Sequence, residues 1–271
     1  MSPQRSTGQR DSPVQTVAKA AEALDYIAAK GELTASELTA LLNEPRSSVY
    51  RLLASLSTAE LVEPGVRRGT FRLGIKLFQL GSRVAQRFDE RQLALPIMER
   101  LHETTEETVF LCVRRDDVAV CIERLNGKHV QALALALGGS LPLHVGAAPR
   151  VLLAFDSKEA QADYLRRVDL VALTPSTPST PTAVKRALAD VRAKGYALSD
   201  EDVTVGIAAL GAPIFDHSGK IRAALSISGV RPAILGRDFD KMCALTTSGA
   251  AEVSALLGYG LDLPGRSANS G

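Results

Sequence analysis

The sequence predicts a two-domain α+β protein: a winged helix-turn-helix, a linker helix, and a C-terminal domain with a mainly antiparallel sheet. Three observations lead to this class. Two short amphipathic helices joined by a tight turn lie within residues 33–62, a basic hairpin follows them, and the C-terminal half contains β-rich runs separated by turn residues. Strands in hairpins, with helices collected on the sheet faces, are typical of α+β domains.

The tight-turn segment reads LTASELTALLNEPRSSVYRLLASLSTAELV over residues 33–62. Thr34 and Glu37 have the spacing of a capping box, in which each side chain binds a backbone N–H of the other residue. Apolar residues then recur at helical spacing as far as Leu42. Pro45 suits the first turn of a second helix, because its missing N–H has no partner there.

The second of these helices carries a polar and basic face. Its apolar residues recur at i, i+3, i+4 and i+7 from Val49, so the opposite side is predicted to face outward. That side is short, basic and free of bulky residues, which suits a helix that enters a DNA major groove. An ordinary helical hairpin with a solvated polar face would show the same pattern. The residues predicted to contact DNA are Arg46, Ser47, Ser48, Tyr50 and Arg51.

A helix over residues 14–29 precedes this segment, and a hairpin follows it. The hairpin consists of two β-capable runs, 61–63 and 70–73, separated by proline, glycine and arginine residues. A basic hairpin after a recognition helix is typical of a wing, so Arg67 and Arg68 are predicted to meet the DNA backbone or minor groove. A connecting hairpin with solvated arginines is the alternative.

Residues 75–88 have the pattern of a further amphipathic helix. We interpret this helix as a linker that also contacts a second subunit. Packing within one chain would explain the same apolar stripe.

Composition predicts a soluble cytoplasmic protein. Of the 271 residues, 45% are apolar and 23% are charged, no apolar run is long enough to span a membrane, and the N-terminus lacks the apolar core of a signal peptide. Cys112, Cys121 and Cys243 form no CxxC pair, which favours reduced thiols. Residues 1–88 contain 12 Lys/Arg against 8 Asp/Glu, whereas the remainder contains 20 against 22. A mildly basic N-terminal part suits a DNA-reading module attached to another domain.

The C-terminal half alternates between strand and helix patterns. Predicted helices separate two groups of strands, and the Pro-spaced run TPSTPSTPT at 174–182 is predicted to be a mobile surface loop. The predicted strands are 108–113, 118–124, 129–134, 206–215 and 220–228, and the predicted helices are 93–105, 149–155, 158–168, 182–194 and 238–257.

Familiar catalytic motifs are missing from the sequence: there is no GxSxG, no GxxxxGK[ST] and no HExxH. The four histidines are far apart along the chain. The acidic run 200–202 would suit a divalent cation, but a solvated acidic turn explains it more simply. We therefore predict no catalytic residue, no metal site and no cofactor.

A ligand pocket is a better prediction than an active site. The turn over residues 144–148 leads into the helix expected near Pro149, whose free N–H groups and dipole would favour a carboxylate. Gly146, Ala147 and Ala148 are small, so a ligand can approach the backbone there. Ser226 and Ser228 alternate along one strand and so face the same side. Alternatively, both serine hydroxyls bond to neighbouring backbone.

These segments together carry a family resemblance. Residues 14–88 resemble the N-terminal domain of IclR-type bacterial transcriptional regulators, especially in PRSSVYRLLASL and the LVEPG…FRLG wing. LPLHVGAAPRVLLA at 141–154 resembles the family segment LPLHATALGKALLA, and residues 194–229 are similar to the family signature region. The resemblance extends over nearly the whole chain.

This resemblance implies a GAF-like effector domain and an assembly of two or four copies. The family's effector positions correspond here to Gly146, Ala147, Ala148, Ser199, Asp200, Ala209, Ser226 and Ser228. The chain departs from some relatives, which have Cys in place of Ala209, Asp in place of Ser199 and Gly-Lys in place of Pro149-Arg150.

The expected organisation follows from both arguments. A tail over 1–13 precedes a winged helix-turn-helix domain at 14–74, a linker helix at 75–90, an effector-binding domain at 91–260 and a tail at 261–271. The expected partners are double-stranded operator DNA, a small organic acid and further copies of the chain as a homodimer or dimer of dimers, with no membrane. Two alternatives remain open: a metabolite-processing enzyme with an N-terminal assembly module, and a regulator that senses apolar or aromatic compounds.

Overall fold

The computed structural model describes residues 13–85, 89–128 and 134–260. The chain divides into two compact units, residues 1–87 and 88–271. Nearly all of the two predicted tails and most of the strand predicted at 129–134 lie outside the described residues, as does the end of the predicted linker helix.

The N-terminal unit is a small helical domain with a three-stranded antiparallel sheet of order β1-β3-β2. The predicted hairpin is formed by β2 and β3. The two-residue strand β1, which the sequence did not predict, pairs with β3 on the other side. The elements are α1 (Pro13–Lys30), β1 (Leu33–Thr34), α2 (Ala35–Leu42), α3 (Arg46–Thr58), β2 (Val62–Pro64), β3 (Thr70–Leu73) and α4 (Ile75–Ala85).

Local signals in the sequence explain where α2 and α3 begin and end. The Thr34 hydroxyl accepts the N–H of Glu37 at 3.2 Å, and the Glu37 carboxylate accepts the N–H of Thr34 at 2.7 Å, which is the predicted capping box. Asn43 ends α2 in the left-handed conformation, with φ 50°. Pro45 is the N-cap of α3, one position earlier than predicted.

The C-terminal unit is built on a six-stranded sheet of order β6-β5-β4-β9-β8-β7, in which every described pairing is antiparallel. This is the two-domain α+β architecture that the sequence predicts. The elements are α5 (Asp89–Thr105), β4 (Thr108–Arg115), β5 (Val118–Leu125), β6 (Ser140–Pro142), α6 (Ala147–Ala154), α7 (Lys158–Arg167), α8 (Pro181–Lys194), β7 (Ala197–Asp200), β8 (Ile207–Phe215), β9 (Ile221–Val230), α9 (Arg231–Leu235) and α10 (Phe239–Leu256).

Helices cover both faces of this sheet. Helices α6, α7 and α8 pack on one face, and α5, α9 and α10 pack on the other. Alternate residues of β4 enter the two cores: Phe110 and Cys112 pack under α6, whereas Val109 and Leu111 pack against α5. No helix in the described ranges is long and apolar enough to cross a bilayer.

Two sequence-based expectations about this unit differ from the structure at their boundaries. Ser199 and Asp200 are in strand β7, so the acidic turn begins only after Asp200, and the helix predicted at 149–155 begins two residues earlier, at Ala147. A third expectation, a mobile loop at 174–182, fits poorly with its hydrogen bonds. The hydroxyls of Thr174 and Thr177 donate to the backbone carbonyls of residues 201 and 202, at 2.7 and 2.6 Å.

Candidate nucleic-acid interface and ligand cavity

Helix α3 buries its apolar face and exposes its basic face. Val49 and Leu53 are each 1% exposed within the core of the N-terminal unit. The opposite side of the helix holds Arg46, Ser47, Tyr50 and Arg51, all exposed, and Ser48 is half-buried at the edge. The predicted recognition face is therefore accessible on this unit.

Side chains on the exposed face contact one another loosely. A guanidinium nitrogen of Arg46 lies 3.4 Å from the Tyr50 hydroxyl, and the guanidinium carbon lies 5.6 Å from the Tyr50 ring centre. A guanidinium nitrogen of Arg51 lies 3.5 Å from the Ser48 hydroxyl. Both hydrogen bonds are at the long limit of the usual range. The two arginines can therefore exchange these contacts for phosphate or base partners at small cost.

The wing is fastened to the helical core by Glu32, a residue that the sequence did not single out. Its carboxylate accepts hydrogen bonds from the backbone N–H of Val66 at 2.9 Å, the Thr70 hydroxyl at 2.9 Å and the guanidinium of Arg67. The bond from Arg67 is the main cause that lowers the pKa of Glu32 to about 2. A Cβ at Gly65 would lie 2.4 Å from this carboxylate, so a larger residue there would displace Glu32 from the wing.

The wing arginines consequently differ in what they can offer to DNA. Arg67 already binds Glu32, and Arg72 pairs with Glu63 at 2.8 Å. Arg68 is exposed and has no such carboxylate partner in the described part of the chain. The prediction from the sequence gave Arg67 and Arg68 the same role. In the structure, Arg67 is paired with Glu32, and a DNA phosphate would have to share its guanidinium with that carboxylate.

The C-terminal unit contains a cavity whose floor is the sheet. Strand register places Ser199, Ala209 and Ser228 in one row across β7, β8 and β9. Ser226 lies opposite Phe110 in the adjoining row. Residues directly opposite each other in a sheet share a face, so all five side chains point toward α6.

The first turn of α6 forms the roof of this cavity. Gly146 is the N-cap with φ 84°, a conformation that favours glycine. A Cβ at Gly211 would lie 2.9 Å from the Ala147 carbonyl carbon and 3.0 Å from the Ala148 nitrogen, so β8 passes directly against this turn. Backbone N–H groups in the first turn of a helix have no intrahelical partner and attract negative charge. Of these positions, Pro149 has no N–H to offer.

The cavity has a volume of about 50 Å³, and about 500 Å³ when all the space up to and including its open mouth is counted. Among the described residues that line it, none has a charged side chain. An anionic ligand group would therefore be met by backbone N–H groups and hydroxyls and not by an arginine. The lining consists of Phe110, Ala134, Leu135, Leu141, Gly146, Ala147, Ala148, Pro149, Ser199, Val203, Thr204, Ile207, Ala209, Ser226 and Ser228.

The two serines on β9 are in different states. The Ser228 hydroxyl donates to the Ala208 carbonyl at 3.2 Å, as the alternative interpretation of these serines expects. The Ser226 hydroxyl has no hydrogen-bond partner among the residues described, and it faces the cavity. Ser226 is thus available to a ligand as a donor, whereas Ser228 offers mainly its lone pairs.

Asp200 is the one predicted effector residue that does not line the cavity. It neighbours Ser199 along β7, so its side chain points to the opposite face of the sheet. There its carboxylate accepts two hydrogen bonds from Arg231, at 2.7 and 3.0 Å. The prediction that Asp200 contacts the ligand is therefore wrong, because its side chain lies on the other face of the sheet.

Two residues behind the cavity wall, Arg150 and Asp202, were not predicted to support the ligand site. Asp202 accepts hydrogen bonds from the Ser199 hydroxyl and, at 3.3 Å, from the N–H of Gly146. The Arg150 guanidinium binds the same carboxylate at 2.5 Å and also the Leu198 carbonyl. Burial lowers the pKa of Arg150. The available signal was one arginine in the otherwise apolar helix AAPRVLLA.

His144 and the two aspartates near the cavity, Asp200 and Asp202, each have partners within the protein. Over residues 13–85, 89–128 and 134–260, no three His, Cys, Asp or Glu side chains are grouped to hold a metal ion. Asp200 and Asp202 each bind an arginine instead. His144 is buried, with Nδ1 2.7 Å from the Tyr164 hydroxyl and Nε2 3.1 Å from the Val171 carbonyl, and burial lowers its pKa.

In the comparison with known proteins, both units match domains of the same protein family. Residues 16–64 match the IclR helix-turn-helix domain, and residues 82–255 match the bacterial transcriptional regulator IclR C-terminal domain. The Transcriptional repressor IclR of Escherichia coli K12 is 30% identical, with 95% of this chain and 94% of that protein covered.

Solved structures resemble the chain over a similar extent. The Thermotoga maritima IclR structure is 31% identical, with a TM-score of 0.75, and covers 91% of this chain and 100% of its own. An IclR homolog from Microbacterium hydrocarbonoxydans, complexed with 4-hydroxybenzoate, is 25% identical with a TM-score of 0.78 and covers 89% and 98%.

Proposed function

Because the chain belongs to the IclR family of bacterial transcriptional regulators, we propose that it binds double-stranded operator DNA under the control of a small organic acid. The exposed face of α3 is the observation that carries the DNA-binding half of this proposal. The cavity beneath α6 carries the effector half. A regulator of bacterial transcription works where the chromosome lies, so the proposal also places the protein in the cytoplasm.

In the proposed complex, α3 enters the major groove. Arg46 and Arg51 reach guanine edges or phosphates, while hydroxyls of the same face bind phosphate oxygens. Arg68 meets a phosphate from the wing, beside the groove that α3 occupies. The residues of α3 assigned to this interface are Arg46, Ser47, Ser48, Tyr50 and Arg51.

Dimerisation completes the proposed DNA complex. Ile75, Phe78 and Leu80 of α4 are 64%, 71% and 46% exposed, and a second copy would cover this apolar surface. Two recognition helices related by a two-fold axis would read half-sites one helical turn apart, about 34–36 Å, or a multiple of that distance. Pairing of such dimers through the C-terminal units is part of the same proposal.

For the effector, the cavity supports an acid with an apolar body. The first turn of α6 and the Ser226 hydroxyl suit a carboxylate, and Phe110, Ala209 and Ile207 suit an aliphatic or aromatic body. The Microbacterium hydrocarbonoxydans homolog was crystallised with 4-hydroxybenzoate, an acid of this kind. The organic-acid and aromatic-compound alternatives therefore converge on one ligand class.

Effector control follows from linkage. An acid that binds one arrangement of the dimer more tightly than another shifts the operator affinity if the two arrangements differ in that affinity, and bound operator then changes the affinity for the acid by the same factor. The residues of the proposed site are Gly146, Ala147, Ala148, Ser199, Ala209, Ser226 and Ser228.

A footprint of the purified protein on the DNA upstream of its own gene tests both halves of the proposal. We expect a protected site of two half-sites, and we expect at least one member of a panel of aliphatic and aromatic carboxylates to alter the protection. Protection that does not depend on sequence would contradict the operator assignment. Sequence-specific protection that no carboxylate changes would contradict the effector assignment alone.

A further inference from the structure

Strands β4 and β5 bring two buried cysteines directly opposite each other. Leu111 pairs with Glu123, but the next residue, Cys112, pairs with Cys121, because the register shifts by one residue at this point. Ile122 is the extra residue of the resulting β-bulge. Without the bulge, Cys112 would face Ile122, so the irregularity creates the cysteine pair.

The backbone hydrogen bonds show what kind of pair this is. The N–H of Cys121 donates to the Gly139 carbonyl at 2.9 Å, and the Cys121 carbonyl accepts the N–H of Gly138 at 2.8 Å. Both groups of Cys121 therefore point away from β4. Such a non-hydrogen-bonded antiparallel pair has Cα atoms about 4.5 Å apart, with the side chains close together. This separation lies within the range of roughly 4.4–6.8 Å that a disulfide spans.

The two thiols influence each other's proton affinity. The Cys121 thiol donates a hydrogen bond to the Glu123 carbonyl at 3.2 Å. The hydrogen bond to Cys121 is the main cause that raises the pKa of Cys112, and the same bond lowers the pKa of Cys121. The positive charge of Arg124 contributes to the lower value. Cys121 is consequently the better nucleophile of the pair.

We propose that Cys112 and Cys121 are a redox modification site, at which a peroxide converts the two thiols into an intramolecular disulfide between β4 and β5. The modification would lie in the same apolar layer as Phe110, which lines the ligand cavity two residues away on β4. The inference depends on the geometry of the C-terminal unit and is independent of the proposed operator and effector.

Two steps account for all atoms and electrons. The Cys121 thiolate attacks one oxygen of hydrogen peroxide, the O–O bond breaks, and the departing hydroxide takes up the thiol proton as water, which leaves Cys121 as a sulfenic acid. The Cys112 sulfur then attacks the Cys121 sulfur, the S–O bond breaks, and hydroxide leaves with the Cys112 proton as a second water. Two thiols are oxidised, and both peroxide oxygens are reduced to water.

Burial sets the expected rate. Cys112 and Cys121 are each 0% exposed, whereas Cys243 is partly exposed. The first step should therefore be slower at the pair than the oxidation of Cys243. The second step should be fast, because strand pairing holds the two cysteines directly opposite each other.

The test uses the full-length Cys243→Ser protein, incubated with hydrogen peroxide under native conditions. After quenching, the protein is unfolded and alkylated, and intact mass and peptide mapping report the cysteines. We expect both thiols to be lost together, with a mass decrease of two hydrogens and a cross-linked peptide that joins Cys112 to Cys121. A thiol reductant should restore both alkylation sites. In the Cys112→Ala and Cys121→Ala variants of the same background, the one remaining cysteine of the pair should either gain oxygen from the peroxide or be alkylated.

Three results would overturn the inference. The first is that both thiols stay alkylatable after Cys243 of the natural sequence has been fully oxidised under the same conditions. The second is independent oxidation of each cysteine to sulfinic acid, and the third is a link between chains. The mapping in the Cys243→Ser protein decides among these results even where an alanine variant does not fold.

Discussion

Arg150 and Asp202 form an ion pair whose side chains are 7% and 2% exposed, directly behind the residues that line the ligand cavity. Asp202 also accepts hydrogen bonds from Ser199 and Gly146, both of which belong to the cavity wall. The pair therefore connects the start of α6 to the end of β7. A cavity wall held in this way needs both partners, because neither charge can remain buried alone.

Removal of one partner should destabilise the protein strongly. We expect Asp202→Ala to lower the free energy of unfolding by about 3–5 kcal/mol, because Arg150 is left buried without a counter-charge. Urea denaturation measures this loss. The matched control is Asp200→Ala, which breaks a partly exposed pair with Arg231 and should cost no more than about 1 kcal/mol. Equal losses for the two variants would show that the buried pair is not special.

The serines of β9 should matter for the effector and not for DNA. In the Ser226→Ala/Ser228→Ala protein, a carboxylate that alters the footprint should bind at least about tenfold more weakly, since two hydroxyls are lost from the cavity floor. Operator affinity without the acid should stay unchanged. Asp200→Asn is the control and should bind the acid normally, because this side chain points away from the cavity. Calorimetry with unchanged affinity in the double variant would place the site elsewhere.

Alanine substitution of the two neighbouring wing arginines should change the salt dependence of DNA binding to different extents. If Arg68 contacts a phosphate, Arg68→Ala should weaken binding to all sequences and reduce the slope of log K against log salt by about 1. Arg67→Ala should change the slope less, because Glu32 already occupies its guanidinium. A larger change of slope for Arg67→Ala than for Arg68→Ala would reverse this assignment.

Because His144 is buried, we expect the folded protein to lose stability in mild acid. Its pKa is lowered in the folded protein, so the unfolded chain takes up the proton first as the pH falls below the ordinary value of 6.5. The free energy of unfolding should therefore decrease as the pH falls from 6.5 to the lower pKa of the folded state. Well above pH 6.5, His144 should not contribute to the pH dependence. Urea midpoints at about pH 7.5 and about pH 5.5 should differ less in His144→Gln than in the natural sequence. An identical pH dependence in both proteins would exclude His144 as the source.

Local signals in the sequence were sufficient to predict helices α2 and α3. The capping box of Thr34 and Glu37 and the apolar period from Val49 are determined by residues within a few positions of one another. The exposed face of α3 follows directly from that period. The cavity floor followed in part from the same kind of argument, since the alternation of Ser226 and Ser228 along β9 requires only that the segment be a strand.

Long-range pairing explains what the sequence could not predict. Strand β1 has two residues, and only its pairing with β3 makes it a strand. The end of strand β7 was predicted to be part of an acidic turn, although its register with β8 turns Ser199 toward the cavity and Asp200 away from it. Arg150 and Asp202 are 52 positions apart, and Glu32 and Arg67 are 35 apart. No local pattern reveals such partners.

The most direct test of the DNA-binding account compares two exposed arginines in an operator titration. Arg51 lies on the outer face of α3, whereas Arg186 lies exposed on α8 of the C-terminal unit. If α3 reads the operator, Arg51→Ala should weaken specific binding by about 1–3 kcal/mol, and Arg186→Ala should leave binding unchanged. Operator affinity that is equal for Arg51→Ala, Arg186→Ala and the natural sequence would contradict the account.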